Sequence, residues 1–207
     1  MPTDAQRYAS VVRHFRRTRG VRRARADEQG SWVKLAHQGR EGVVYVDRDR
    51  TRVLKKVVVS LEEDPVARFE ASELANVAAS ARGICPKVHG VHYELDARGV
   101  LFFCIESDYF DGVAFDELRP SDQRKAAPLV RALARRMVRG GIWHGDLHGG
   151  NVLVSADVTE VTFVDFGNGC FCFGPGKPGP GSWSSTKAAR ALEALSLRKL
   201  DVFSEMR

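Results

Sequence analysis

Two acidic residues and an asparagine carry the most specific chemistry in this chain. They are Asp146, Asn151 and Asp165, within IWHGDLHGGNVLVSADVTEVTFVDFG at residues 142–167. Asp146 and Asn151 follow a Gly140-Gly141 break. Two short apolar runs, 152–154 and 161–164, are separated by the polar turn 155–160 and predict a hairpin. That hairpin brings Asp165, at the end of its second strand, near the loop bearing Asp146 and Asn151. Two carboxylates and a carboxamide suit a Mg²⁺–phosphate site, because a hard cation takes oxygen ligands and Mg²⁺ uses only one or two carboxylates plus substrate phosphates. The bland alternative is a capping aspartate, a turn asparagine and a turn Asp-Phe-Gly arising separately. Three parts in order at this spacing weigh against it.

The motif HGDLHGGN followed by VDFG resembles the catalytic loop and metal-binding motif of the protein-kinase-like superfamily. Gly145 stands where protein kinases commonly have Arg, and His148 where they commonly have Lys. HGDLH is closer to the aminoglycoside-phosphotransferase and atypical kinase branches. The resemblance implies Asp146 as catalytic base, with Asn151 and Asp165 as metal ligands.

Further positions extend the likeness over residues 31–170. Strand, glycine-containing turn and strand are predicted from Trp32 to Val46, and Gly39 and Gly42 in that turn can bring backbone N–H groups to a phosphate. QGREGVVY there resembles the corresponding loop of the atypical kinase in the KEOPS tRNA-modification complex. RVLKKV lines up with the lysine-bearing strand of kinases. By alternation Val53, Lys55 and Val57 share a face, so the resemblance makes Lys55 the phosphate-holding lysine and turns Lys56 the other way. Asp64-Pro65 starts a helix whose inward face is read as Val66, Glu70, Glu73, Leu74 and Val77. A carboxylate on an apolar face needs a partner. Glu70 is the expected partner of Lys55, with Glu73 the alternative. DYFDGVAF resembles the kinase hinge, which implies that Asp108 to Phe110 offer backbone groups to adenine. A helix is expected over 121–139, capped by Ser121, with Pro128 restarting or kinking it. A glycine-rich loop at 174–181 and a last helix capped from Ser184 complete the chain, with no A-P-E motif.

Composition narrows the classes. The chain has 207 residues, 43% of them hydrophobic, enough for one domain or a small two-lobed unit. No apolar run approaches the ~20 residues of a membrane helix, and no apolar leader is visible. Cys85, Cys104, Cys170 and Cys172 show no disulfide spacing and read as reduced, non-ligand thiols of an intracellular protein of the cytoplasm or nucleus. His89 and His92 read as surface residues. Net charge is +6, while residues 1–26 hold eight Arg and one Asp, or +7, leaving −1 for the rest. The Arg-rich arm 7–25 reads as a docked helix followed by a solvated basic linker. Binding to nucleic acid or an acidic partner is the alternative.

The expected fold is α+β: a bilobal kinase-like fold with a five-stranded antiparallel N-lobe and a reduced helical C-lobe. The expected divisions are a basic arm 1–28, an N-lobe 29–110 and a C-lobe 111–207. The expected function is phosphoryl transfer from ATP with Mg²⁺ to a Ser/Thr hydroxyl of a protein substrate or partner complex. A small-molecule kinase of the aminoglycoside-phosphotransferase type is the first alternative. A nucleotide-binding scaffold or pseudokinase in a nucleic-acid-associated complex is the second.

Overall fold

The computed structural model describes residues 2–23, 32–35, 42–61, 64–167 and 170–172. Gly39, the loop 174–181 and the helix expected from Ser184 lie outside the described residues. The chain divides into two compact units, Met1–Glu70 with Val88–Tyr109, and Ala71–Lys87 with Phe110–Arg207.

The first unit is built on a sheet. Its first helix, α1 (Asp4–Thr18), is capped reciprocally: Thr3 accepts from the Gln6 N–H and the Gln6 side chain accepts from the Thr3 N–H. Val11 and Phe15, four residues apart, are its buried face, and Phe15 stacks on Tyr93 with ring centroids 4.1 Å apart. The Tyr8 hydroxyl donates to the Gly99 carbonyl and accepts from the Leu101 N–H. After Gly20, at φ 71°, the chain enters β1 (Val21–Arg23). The strands β2 (Trp32–Lys34), β3 (Gly42–Asp47), β4 (Arg52–Val58), β5 (Val88–Leu95) and β6 (Leu101–Asp108) follow. Sheet order is β1-β5-β6-β4-β3-β2, with β1 parallel to β5 and the other pairs antiparallel.

The five-stranded antiparallel sheet expected from the sequence is therefore a mixed sheet of six strands. The extra strand comes from the Arg-rich stretch read as a linker. Arg22 and Arg23 stay exposed while Val21 packs against the core. One apolar residue among arginines leaves no local strand pattern, and the pairing is made across the chain. α1 and β1 belong to the first unit. The core of this unit joins Val11 and Phe15 to Val57, Tyr93, Leu101, Phe103, Ile105 and Phe69.

Helix α2 (Pro65–Ala81) begins where expected: the Asp64 Oδ1 accepts from the N–H groups of Val66 and Ala67 at 3.1 and 3.2 Å. Its buried face differs from the one read from the sequence. Leu74 and Val77 are 41% and 52% exposed, whereas Phe69, Ser72, Ala75, Asn76 and Ala79 are buried. Small residues and two polar groups, not the larger aliphatics, mark the close-packed side.

In the second unit β7 (Gly112–Ala114) and the 3₁₀ turn Phe115–Glu117 lead into α3 (Pro120–Arg139). Arg119, not Ser121, is the N-cap; Pro120 occupies the first turn, where its missing N–H costs nothing. Pro128 lies inside one continuous helix. Val130, Leu133, Met137 and Val138 are buried, and the Arg136 guanidinium donates to the Gly83 carbonyl. The predicted hairpin is present as β9 (Val152–Ser155) and β10 (Val161–Phe163), extended by β7 into the order β10-β9-β7. β8 (Ile142–Trp143) pairs antiparallel with β11 (Phe171–Cys172). Among the described residues no helix is long and apolar enough to cross a membrane.

Candidate active site

The loop 144–151 is set between β8 and β9. It begins with His144, which is 1% exposed and packs against Phe166 at 4.4 Å between ring centroids. Its Nε2 lies 2.8 Å from the Val164 carbonyl oxygen, so Nε2 carries the proton and donates. Burial lowers its pKa below the ordinary histidine value, against the smaller opposing effects of the Val164 bond and the Asp165 and Asp146 charges. The other ring nitrogen, Nδ1, is buried without a partner among the described residues. The imidazole is therefore a neutral tie. Gly145 takes φ 81°, a left-handed conformation that a side-chain-bearing residue adopts at a cost of about 1–2 kcal/mol. That is a physical reason for glycine where protein kinases carry Arg.

Asp146 itself is 60% exposed at the side chain. His148 Nε2 stands 3.8 Å from its Oδ2, while His148 Nδ1 accepts from the Gly150 N–H at 3.1 Å and so caps the 3₁₀ turn Gly149–Asn151. Gly149 is required for packing: a Cβ there would come within 2.8 Å of the Asp116 Cβ. Asn151 donates from Nδ2 to the Asp146 carbonyl at 2.9 Å. That bond fixes the carboxamide and leaves its oxygen as the atom suited to a hard cation.

Asp165 is clamped through its neighbours. The Val164 N–H donates to the Asn151 carbonyl at 3.0 Å, and the Val164 carbonyl accepts from His144. On the other side the Phe166 carbonyl accepts from Ser72 Oγ at 2.6 Å and Asn76 Nδ2 at 2.9 Å. Cys170 Sγ also lies 3.2 Å from that oxygen, and burial pushes its thiol up to about 12. Asp165 sits at φ 66°, a conformation that non-glycine residues take rarely and that clusters at functional sites. The structure thus ties the Asp165 segment to the Asp146–Asn151 loop by backbone and His144 bonds. Ser72 and Asn76 are not among the residues that the sequence singles out. Two polar residues four apart among Phe69, Ala75 and Ala79 are the signal that could have shown them, since a buried polar pair must find partners.

The remaining expected residues belong to the first unit, except Phe110 and the alternative Glu73. Lys55 is half-buried on β4, opposite Val44 and Ile105, with Val57 of the same face in the core. Lys56 turns to the other face as expected and bonds Glu94 at 2.7 Å. Glu70, expected to orient Lys55, has its Oε1 3.1 Å from His14 Nε2 and 3.9 Å from Arg19, both contributed by the N-terminal segment. Kinase-like spacing points Glu70 at a lysine and gives α1 no part in the site, so this pairing is not visible in the sequence. Gly42 has a packing reason of its own: a Cβ would fall 2.6 Å from the Lys56 carbonyl oxygen. At the hinge-like stretch Asp108 bonds His89 at 2.5 Å and lies 3.8 Å from Arg52. The Tyr109 N–H is already donated to the Thr51 carbonyl. Phe110 packs on Gly112, whose Cβ would clash with its ring at 2.5 Å.

Compared with protein families, residues 105–175, about a third of the chain, match the model of the phosphotransferase enzyme family. The matched segment contains HGDLHGGN and VDFG. It supports a place in the superfamily of kinase-like phosphotransferases and an enzyme that transfers phosphate. No curated protein matches the chain.

Proposed function

We propose that the protein transfers the γ-phosphoryl group of ATP to a hydroxyl group, with a protein Ser/Thr hydroxyl as the acceptor. The observation that carries this reading is the constellation Asp146, Asn151 and Asp165, inside the family-matched segment 105–175 and held by His144, Val164, Ser72 and Asn76. Asp165 and Asn151 are the residues that would hold Mg²⁺. Their oxygen donors fit it, and the Asn151 nitrogen, already engaged with the Asp146 carbonyl, supports that fit. Bound there, the cation would neutralise phosphate charge. Asp146 accepts the proton of the acceptor hydroxyl as that oxygen bonds to the γ-phosphorus; the bond to the β-phosphate oxygen breaks and ADP leaves. His148 Nε2 stands 3.8 Å from the Asp146 carboxylate, at the rim of the same loop. Lys55 holds the α/β phosphates in this reading, and Glu70 or Glu73 orients it. In this reading the stretch bearing Gly39 and Gly42 covers the phosphates, and Asp108 to Phe110 meet adenine through backbone groups other than the Tyr109 N–H.

A protein acceptor is favoured by the short path from Tyr109 to His144. It holds β7, one 3₁₀ turn, α3 and β8, with no inserted helical layer to enclose a small molecule. A small-molecule acceptor is the second reading, favoured by the family match itself. Incubation with γ-labelled ATP and Mg²⁺, using generic protein acceptors and aminoglycosides in parallel, separates them. Labelled protein supports the first reading and labelled aminoglycoside the second. Absence of Mg²⁺-dependent transfer to any acceptor, the protein itself included, contradicts both.

A further inference from the structure

The face of the six-stranded sheet opposite its aromatic core carries a polar cluster that phosphoryl transfer does not use. His92 and Glu94 stand two residues apart on β5 and so project to the same face, while Tyr93 between them enters the core. Cys104 lies directly opposite His92 on β6, and Lys56 directly opposite Cys104 on β4. One imidazole nitrogen, one carboxylate oxygen and the thiol sulfur all lie within 4.8 Å of one another. These are the donor types of a Zn²⁺ site. We propose that His92, Glu94 and Cys104 bind a single Zn²⁺-class ion, with a fourth position left for water.

The geometry favours it. Zn²⁺ takes imidazole nitrogen and carboxylate oxygen at about 2.0–2.2 Å and thiolate at about 2.3 Å, which places tetrahedral donors about 3.3–3.7 Å apart. His92 Nε2 and Glu94 Oε2 are already 3.8 Å apart, beyond hydrogen-bond length but close to that spacing. Rotamer adjustments on the order of 1 Å bring the sulfur in. The strands fix the three Cβ positions, so little chain entropy is lost on binding. Glu94 Oε1 is occupied by the Lys56 ammonium at 2.7 Å, which leaves Oε2 for the metal. A carboxylate ligand held by an outer hydrogen-bond donor is the usual arrangement at protein metal sites. Thiolate and carboxylate together match the charge of a divalent cation, and the Lys56 ammonium shares the Glu94 carboxylate with it, leaving the group at +1. Burial lowers the His92 pKa and pushes the Cys104 thiol up to about 12, so the ion would have to displace the thiol proton on binding. The cluster is sheltered but reachable: Cys104 is fully buried, whereas the His92 and Lys56 side chains are 17% and 24% exposed. Among the described residues it is the one group of three such donors placed this closely. His92 reads as a surface residue in the sequence because its partners are two residues along β5 and across on β6, not at His89.

The test uses the full chain, stripped with a chelator and kept reduced. Co²⁺, then Zn²⁺ in competition with a chromogenic chelator, are the probes. One equivalent of Co²⁺ should give tetrahedral d–d bands and a thiolate charge-transfer band, and Zn²⁺ should abolish both while raising the thermal midpoint. The charge-transfer band reports on a cysteine, so it cannot arise from Asp146, Asn151 and Asp165. Cys104→Ser should remove that band, and His92→Gln, which leaves the thiol in place, should weaken Zn²⁺ binding at least 10-fold. Cys85→Ser and Cys172→Ser should change neither. No stoichiometric binding by the wild type overturns the proposal. So does a charge-transfer band that survives in folded Cys104→Ser, or full affinity in folded His92→Gln.

Discussion

Protonating His144 would place a charge in the apolar contact with Phe163 and Phe166, beside the carbonyl it now donates to. Burial holds its folded-state pKa below the ordinary value of 6.5. The unfolded chain therefore binds more protons than the folded one below about pH 6.5, so this contribution to stability is complete above that pH and lost as pH falls toward the folded-state pKa. The charges of Asp165 and Asp146 oppose the shift without reversing it. The thermal midpoint should fall as pH is lowered from about 7.5 to about 5.5, and fall less in His144→Gln, whose amide can still donate to Val164. Equal slopes in the two proteins would remove His144 as the titrating tie. The grouping of Asp146, Asn151 and Asp165 is legible in sequence because residue types and spacing are local. The left-handed backbone at Gly145 and Asp165 is not, because φ follows from how the loop closes against Val164.

At the level of elements, α2 does more than cover a sheet. Ser72 and Asn76 grip the Phe166 carbonyl, the next peptide after Asp165. Asn76→Ala removes a buried hydrogen bond worth about 1–2 kcal/mol. It should lower turnover more than it lowers stability, because the loosened peptide carries the aspartate proposed to bind the metal. Measured kcat and denaturation midpoint decide this; a proportionate loss of both would make the bond merely structural. The start of α2 can be read from Asp64-Pro65, but its face cannot. Leu74 and Val77 look like core residues by type, yet the close packing of Ala75 and Ala79 sets the rotation of the helix. The same limit applies to β1, whose parallel partner is β5, far along the chain. Helix α1 is legible through Val11 and Phe15, but not its hold on Glu70. Because Phe15 is fully buried against Tyr93, Phe15→Ala should cost about 3–5 kcal/mol in chemical denaturation. A change under about 1 kcal/mol would mean that α1 adds little to the stability of the first unit.

Across the whole molecule, the positive charge and the phosphotransfer signature sit in different places. Eight of the arginines lie in residues 1–26, whose helix and first strand pack into the first unit, while the family match covers residues 105–175. Lys55 and Glu70 lie outside the matched segment, so the phosphotransfer reading stands first on the aspartates of the second unit. The two aspartates act separably in that reading. Asp165 holds the cation that nucleotide binding needs, and Asp146 takes a proton only during transfer. The most direct measurement is nucleotide affinity and γ-phosphoryl turnover side by side, with Mg²⁺, for wild type, Asp146→Asn and Asp165→Ala. Asp146→Asn should bind ATP like the wild type while turnover falls about 10²–10⁴-fold, and Asp165→Ala should lose Mg²⁺-dependent ATP binding altogether. Full turnover in Asp146→Asn, or unchanged Mg²⁺-dependent binding in Asp165→Ala, would contradict these roles.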